Sequence, residues 1–433
     1  MDTFLSISAG FNKPYEPIDV IYQTRILNMS QQESKVSRRQ FIGGTVGGLV
    51  VGGLAGYAAG VSTAPPAVAP GVTATVTETA TVPAPAKKIK AGFVYVGPVG
   101  DFGWSYGHDR GRKYVARLPW LDTFYAEAIP EPEVGGAIDR MVAEGADVVF
   151  TTSFGYMDPT VAAGDKYPDK KFWHCSGYKR SKNVGTYFAE FYQLYYLCGL
   201  AAAGVTKTNK IGYVAAHPIP EVIRHINAFV LGARELNPNI ECHVVWLFSW
   251  FDPGKTRDAA VSLVESQNCD VLAYTEDSPT TLQVAEEYQG KGKPVWSFSH
   301  YSDMTTYGPR AHLTGQVVDW GLMYEYILAY QYAQAFRSMD LWWRLGDGGD
   351  TVDGWRAADG GVTLAPVNTA IPENVRNLIE KRRGEMRAQI FEPFTGPIKD
   401  QDGKLRFATG QRATHDDLWG MDWFVEGVVS KLP

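Results

Sequence analysis

Cysteine is scarce in this chain. There are four in 433 residues, Cys175, Cys198, Cys242 and Cys269, and no two stand in a CxxC spacing. That excludes a zinc ribbon and a thioredoxin-type redox motif. Isolated buried thiols are the default reading, with one or two bridges open only in an oxidising compartment. Metal-ligand spacing is missing too: His217, His225, His300 and His312 are scattered and no H-E-x-x-H occurs, so no metal site is expected. The loop Gly97-Pro98-Val99-Gly100 is neither a Walker loop nor GxGxxG, so nucleotide phosphates are not indicated and no cofactor is expected. An excess of positive charge is also lacking. The net charge of −6 and pI of about 5.8 argue against a nucleic-acid partner, which calls for a basic face.

Aromatic residues, by contrast, are abundant: 12 Trp, 23 Tyr and 20 Phe, 13% of the chain. Large cores account for many rings. The sharper reading is that several stack on a flat ligand. Hydrophobic content of 45% and charged content of 20% describe an ordinary soluble core, and the length suits two lobes plus tails.

Residues 1–36 read as an n-region, with Met29 a candidate start. Ser37-Arg38-Arg39-Gln40-Phe41 opens the segment 37–62, whose run Phe41–Ser62 is apolar and uncharged. Twin arginines before a Gly-rich apolar run mark an export signal of the twin-arginine type. A membrane anchor is the competing reading, since about 20 apolar residues span a bilayer. Glycines at 44, 48, 52, 56 and 60 would suit helix pairing there. No cysteine lies nearby, so a lipid-modified N-terminus is not expected. Residues 63–87, rich in Ala, Pro, Thr and Val, form an extended stalk. The body is therefore expected outside the cytoplasm, monomeric, and tethered to the membrane if the signal is not cleaved.

From Lys88 the sequence alternates between strand and helix. Expected strands are 91–96, 123–128, 148–153, 171–176 and 184–188, then 211–215, 242–248, 271–275, 295–298 and 312–318. Helical patterns intervene, the first near Asp109–Arg117. Two successive α/β runs imply two doubly wound, Rossmann-like lobes joined by a hinge, the architecture of a clamshell binding protein. Lobe I is placed at 88–206 with part of 300–365, and lobe II at 207–299 with part of 366–433.

Gly103-Trp104-Ser105-Tyr106-Gly107 fits the G-x-S-x-G nucleophile elbow, so a secreted serine hydrolase using Ser105 is the alternative function. An elbow places its serine directly at a strand end. Here a loop intervenes, the strand is the first, and the candidate partners Asp303, His312 and His415 are tied to Ser105 by no spacing. The other signals sit at strand ends, where an interlobe cleft would open. They are Asp101, Phe102 and Trp104; Ser153, Phe154 and Gly155; Trp250; Asp277; and Asp319 and Trp320. Capping competes for the carboxylates, as at Asp252 before Pro253. Aromatic faces for a flat ring and carboxylates for N–H or O–H donors suit a purine base or nucleoside. No acid/base pair of defined spacing accompanies them, so binding without catalysis is the simpler account.

The stretches GDFGWSYGHDRGR, GADVVFTTSFGYMDP, YKRSKNVGTYFAEFYQ, IGYVAAHPIPEVIRHINAF, WFDPGKTRDAA, TEDSP and PFTGPIKDQDGK resemble the basic membrane protein family of extracytoplasmic solute-binding proteins, over roughly Lys88 to Leu405. The resemblance implies a type I periplasmic-binding-protein fold with a hinged cleft and capture of purine nucleosides or bases for ABC importers, with the permease subunits as partners. The family's nucleoside-binding branch carries Asp-x-Ser-Phe-Asn after its first strand. Asp101-Phe102-Gly103-Trp104-Ser105 stands there instead, without the asparagine, which removes the expected ribose contact and leaves a free base such as adenine open beside a nucleoside. By position, the resemblance implies that Phe102 or Trp104 and Phe154 flank the ring and that Asp277 accepts a hydrogen bond, with Trp250 and Asp319 as further contacts. A cytoplasmic repressor would share the fold but needs a helix-turn-helix where the export segment stands.

Overall fold

The computed structural model describes residues 88–346 and 361–433; the expected signal and stalk lie outside them. The first lobe runs β1 (Ile89–Tyr95), α1 (Trp104–Val115), β2 (Leu121–Ala126), α2 (Val134–Ala143), β3 (Val148–Thr152), α3 (Met157–Lys166), β4 (Lys171–Cys175) and β5 (Val184–Ala189). Helix α4 (Phe191–Val205) leads into the second lobe. That lobe runs β6 (Lys210–Ala215), α5 (Pro220–Leu236), β7 (Glu241–Trp246), α6 (Pro253–Glu265), β8 (Val271–Tyr274), α7 (Thr280–Gly290), β9 (Trp296–Tyr301) and β10 (His312–Val318). The chain then recrosses through α8 (Trp320–Tyr332) and β11 (Asp340–Trp343), and returns with β12 (Val362–Leu364) and α9 (Glu373–Arg387). A small hairpin, β13 (Ile398–Lys399) and β14 (Leu405–Phe407), and the short α10 (His415–Trp419) complete it.

The first sheet has the order β11-β5-β4-β3-β1-β2 and is parallel throughout; the second has the order β12-β10-β9-β8-β6-β7, with only β12 antiparallel. Strands β3 and β5 are buried at every position. Parallel sheets covered by helices on both faces demand this, which is why these strands are mostly apolar or aromatic and carry no charge, with Thr as their polar residue. The expected end of lobe II at 299 is corrected: β10 pairs in parallel with β9 and is buried along its whole length, so the second sheet extends through Val318. Lobe I takes back α8, which packs on α1, and β11, which pairs with β5.

Helix α4 is buried on nearly all sides. Each of its fully buried leucines, Leu194, Leu197 and Leu200, contributes about 1.5–3 kcal/mol by leaving water. It crosses α5 at van der Waals contact of the two backbones, because Gly199 faces the carbonyl of Phe229 and Gly232 that of Tyr196, leaving no room for a Cβ. The C-terminal segment is bonded to the second lobe, with Val429 and Gly427 on Cys242 and Asn227 holding Trp423 and Val425. Its α10 touches the first lobe as well. Trp419 packs against Tyr178, Phe188 and Trp342, and the buried Arg224 of α5 sits over three of these four rings, Phe188, Trp342 and Trp419. All four cysteines are free and buried. Among the described residues no helix is long and apolar enough to cross a membrane.

Candidate functional site

In each sheet the winding reverses at the first strand: β2 and β3 flank β1, and β7 and β8 flank β6. Helices leave such a point toward opposite faces, which opens a crevice at the carboxyl ends of the strands. A cavity lies where the two crevices meet. It is lined by Val96, Trp104, Ser153, Phe154 and Ser176 from the first lobe and Glu221, Trp250, Asp277 and Tyr301 from the second. Its atom-free space, open mouth included, is about 270 Å³. That sits at the small end for ligand sites, which run from about 300 Å³ upward.

Hydrogen bonds and ring contacts hold the walls in place. The Trp104 indole N–H donates to the carbonyl of Thr152 at 2.6 Å, pinning the ring to the end of β3. The ring of Tyr301 meets it edge-on at 5.0 Å from the opposite lobe. Glu131 shapes the turn that carries Phe154, accepting from Ser153 Oγ at 2.6 Å and from the Gly155 N–H at 3.1 Å. Glu221 joins the lobes: it accepts from Ser176 Oγ of the first and from Tyr301 OH of the second. Burial raises the Glu221 carboxyl, while Arg224 and these two hydroxyls oppose the rise.

Asp277 differs from the other polar groups. It is buried, the backbone N–H of Trp104 bonds its carboxyl, and its Oδ2 has no hydrogen-bond partner. Burial pushes its pKa well above the carboxylate range, and the charges of Asp101 and Glu276 add to the rise. Burial raises Asp101 to about 6, but the backbone N–H groups of Gly103, Ser105 and Tyr106 bond its oxygens and favour its charge. The lobes touch here: a Cβ on Gly103 would lie 2.3 Å from the Asp277 carbonyl oxygen.

Of the residues expected to bind, the structure brings Trp104, Ser153, Phe154, Trp250 and Asp277 to one cavity. Five others stand elsewhere. Asp101 is engaged by the three N–H groups at the start of α1, which is why that helix begins at Trp104 rather than near Asp109. Phe102 lies on the lip at 38% exposure, against Tyr106 and Tyr307. Gly155 packs on the Glu131 carboxylate. Asp319 caps α8 through the Gly321 N–H, and Trp320 is fully buried, stacked on His108. Val96, Ser176, Glu221 and Tyr301 join the wall without having stood out in the sequence. Ser176 and Tyr301 end or follow β4 and β9, so the strand-end rule applied to those strands finds them; Glu221 is indistinguishable from an ordinary first-turn acid.

Ser105 is no nucleophile. It is fully buried, its Oγ accepts the Gly97 N–H at 3.0 Å, and the nearby His108 bonds Tyr324 instead. Ser105→Ala is expected to cost about 1 kcal/mol in denaturant unfolding. Neither wild type nor variant should take up a fluorophosphonate probe; labelling of the wild type alone would contradict this. Among the described residues no group of three His, Cys, Asp or Glu side chains is placed to hold a metal ion.

Residues 88–349 match the family model described as ABC transporter substrate-binding protein, PnrA-like. A purine-binding protein of Brucella abortus is 38% identical over 350 residues, covering 80% of this chain and 95% of its own. A putative ABC transporter glucose-binding protein of Haloferax volcanii is 36% identical over 63% of this chain and 68% of its own. In fold, the chain is similar to a solute-binding protein of an ABC transporter system from Aeropyrum pernix, with a TM-score of 0.62 at 15% identity over 76% of this chain and 95% of that one.

Proposed function

Because the chain belongs to the family of PnrA-like ABC transporter substrate-binding proteins, we propose that its cleft captures a purine base or nucleoside for import. Members of this family are extracytoplasmic binding proteins, not enzymes, and they work with transporter permease subunits. The observation that carries the purine reading is a cavity walled by the rings of Trp104, Phe154, Trp250 and Tyr301, with one buried carboxyl oxygen, Asp277 Oδ2, left without a partner. Ring faces stack on a flat heterocycle, and the free oxygen receives an N–H from its edge. The similarity to a protein named as purine-binding supports the same choice. Anionic ligands fit poorly, since no lysine or arginine stands among the nine lining residues described.

A ligand that binds only the folded, closed protein stabilises it by about 2.7 kcal/mol at a hundredfold excess over Kd. A thermal-shift screen with purine bases, nucleosides and hexoses is therefore expected to show upward shifts for purines. A response to hexoses alone would transfer the reading to sugars, in line with the Haloferax relative, and would end the purine assignment.

A further inference from the structure

We infer that Arg224 is a positioning residue for the cleft. With Glu221 it forms a pair that has two arrangements, one holding the lobes closed and one steadying them open. The two side chains stand three residues apart at the start of α5, and both are buried. At that spacing on a helix a glutamate and an arginine are neighbours and ordinarily pair. Here they do not. Glu221 accepts from Ser176 Oγ on one oxygen and from Tyr301 OH on the other. Arg224 Nη1 donates to the Leu418 carbonyl at 3.2 Å, while Nε and Nη2 have no partner. Burial lowers the Arg224 pKa to about 10, and the charge of Glu221 is foremost among those opposing the fall.

What keeps the two apart comes from the first lobe. Ser176 follows β4 and reaches Glu221 from across the cleft. Phe188 and Trp342, near the ends of β5 and β11, cover the guanidinium with ring centroids 5.4 and 5.0 Å from its carbon. Trp419 of the C-terminal segment adds a third ring at 4.9 Å. Ring faces attract a cation, and more strongly away from water. Each member of the pair is therefore engaged by the opposite lobe while the cleft is closed. Rotation about the hinge withdraws Ser176, Phe188 and Trp342 from α5 together. Glu221 then has a free oxygen, Arg224 has two free N–H groups one turn away, and the two bond each other. That exchange gives the open state an ion pair that the closed state lacks, and so biases the empty protein toward opening. The class of ligand does not enter.

Hydrogen exchange of the ligand-free full chain, read by mass spectrometry, tests this. The Trp104 amide bonds the Asp277 carboxyl across the cleft, so its peptide reports opening, while peptides of β3 and β8 report the lobe cores. Arg224→Lys keeps a cation for Glu221 but has no planar face for the rings. It is expected to speed exchange at the Trp104 peptide by about threefold or more and to leave β3 and β8 unchanged. Ser176→Ala removes the closed-state partner of Glu221 and should do the same. Arg224→Met fills the ring cage but offers Glu221 no cation, so in that background Ser176→Ala should have less than about half its effect. Wild-type exchange at Trp104 in both single variants would overturn the inference, and so would an equal effect of Ser176→Ala with and without Arg224. Faster exchange in β3 and β8 as well would make Arg224 a support of the fold and not of the cleft. Should an Arg224 variant not fold, Ser176→Ala decides alone: unchanged exchange at the Trp104 peptide refutes the exchange of partners.

Discussion

Asp277→Asn is expected to weaken purine binding roughly ten- to hundredfold and, in the same molecule, to raise the melting temperature of the ligand-free protein. The first effect follows from the free Oδ2, which is buried in the cavity wall and has no partner but the ligand. Leaving the ligand's buried polar edge without its partner costs about 1–3 kcal/mol. Asparagine also turns an N–H donor toward the N–H of the base. The second effect comes from proton linkage. Burial raises the Asp277 pKa well above its ordinary value of 3.8, so from that pH upward the unfolded chain releases a proton that the folded chain keeps. The folded state then binds more protons, and stability falls as pH rises until the folded pKa is passed.

An uncharged amide removes that slope. The melting-temperature gain of Asp277→Asn over wild type should therefore be smallest near the ordinary carboxylate pKa and grow as the pH rises above it, until the folded pKa is passed. For every pH step of one over which only the folded chain keeps this proton, the wild type loses about 1.4 kcal/mol. Comparing variant with wild type cancels the contributions of buried groups that do not interact with Asp277, such as His108, His225 and His300, held well below their ordinary value by burial. Calorimetry across that pH range, with titration of the ligand found in the screen, tests both halves. Affinity within threefold of wild type would remove Asp277 from the site. A variant that melts lower at pH 8 would show that the carboxyl is ionised and satisfied in the empty protein.

Gly103→Ala should cost about a hundredfold in affinity, roughly 2.7 kcal/mol, without touching a ligand atom. A Cβ at this position would stand 2.3 Å from the Asp277 carbonyl oxygen and 2.8 Å from its Cα. These are backbone atoms of the opposite lobe and cannot swing aside. The lobes must stay farther apart, which loosens the Trp104 N–H bond to Asp277 and withdraws one wall from the ring. Each lobe keeps its own core, so the ligand-free variant should melt within a degree or two of wild type. Small-angle scattering should lose the compaction that ligand brings. Gly100, in the same loop, has no heavy atom within 4 Å of a Cβ placed on it, so Gly100→Ala serves as the neutral control. Equal affinity of the two variants would mean that closure does not depend on this contact.

Several features of the site are readable from residues alone. Parallel strands buried on both faces exclude charge and are mostly apolar, so β3, β5 and β8 stand out as short uncharged runs rich in Val, Phe, Tyr and Thr. Ligands gather where such strands end, and position alone therefore singles out Trp104, Ser153, Phe154, Trp250 and Asp277, all of which line the cavity. The same rule misplaces Asp101 and Asp319. An aspartate after a strand and before a helix is written identically whether it caps the helix or faces a ligand, and both of these cap. Glu221 fails in the opposite direction, since a glutamate behind a helix-starting proline looks like a dipole partner. Only the approach of Ser176 from the other lobe makes it a bridge.

The sequence by itself determined the alternation of strand and helix, the twin-lobe plan, the family, and a short set of strand-end candidates, because these depend on local periodicity and on motifs contiguous in the chain. The tertiary structure decided how those candidates are used. It returned β11 to the first sheet beside β5, left Phe102 on the lip, sank Trp320 into the core, and set Gly103 against Asp277. The physical reason is common to all four. Burial, hydrogen-bond satisfaction and pKa depend on which distant segment arrives opposite a side chain, and in a cleft between two lobes that segment comes from the far half of the chain.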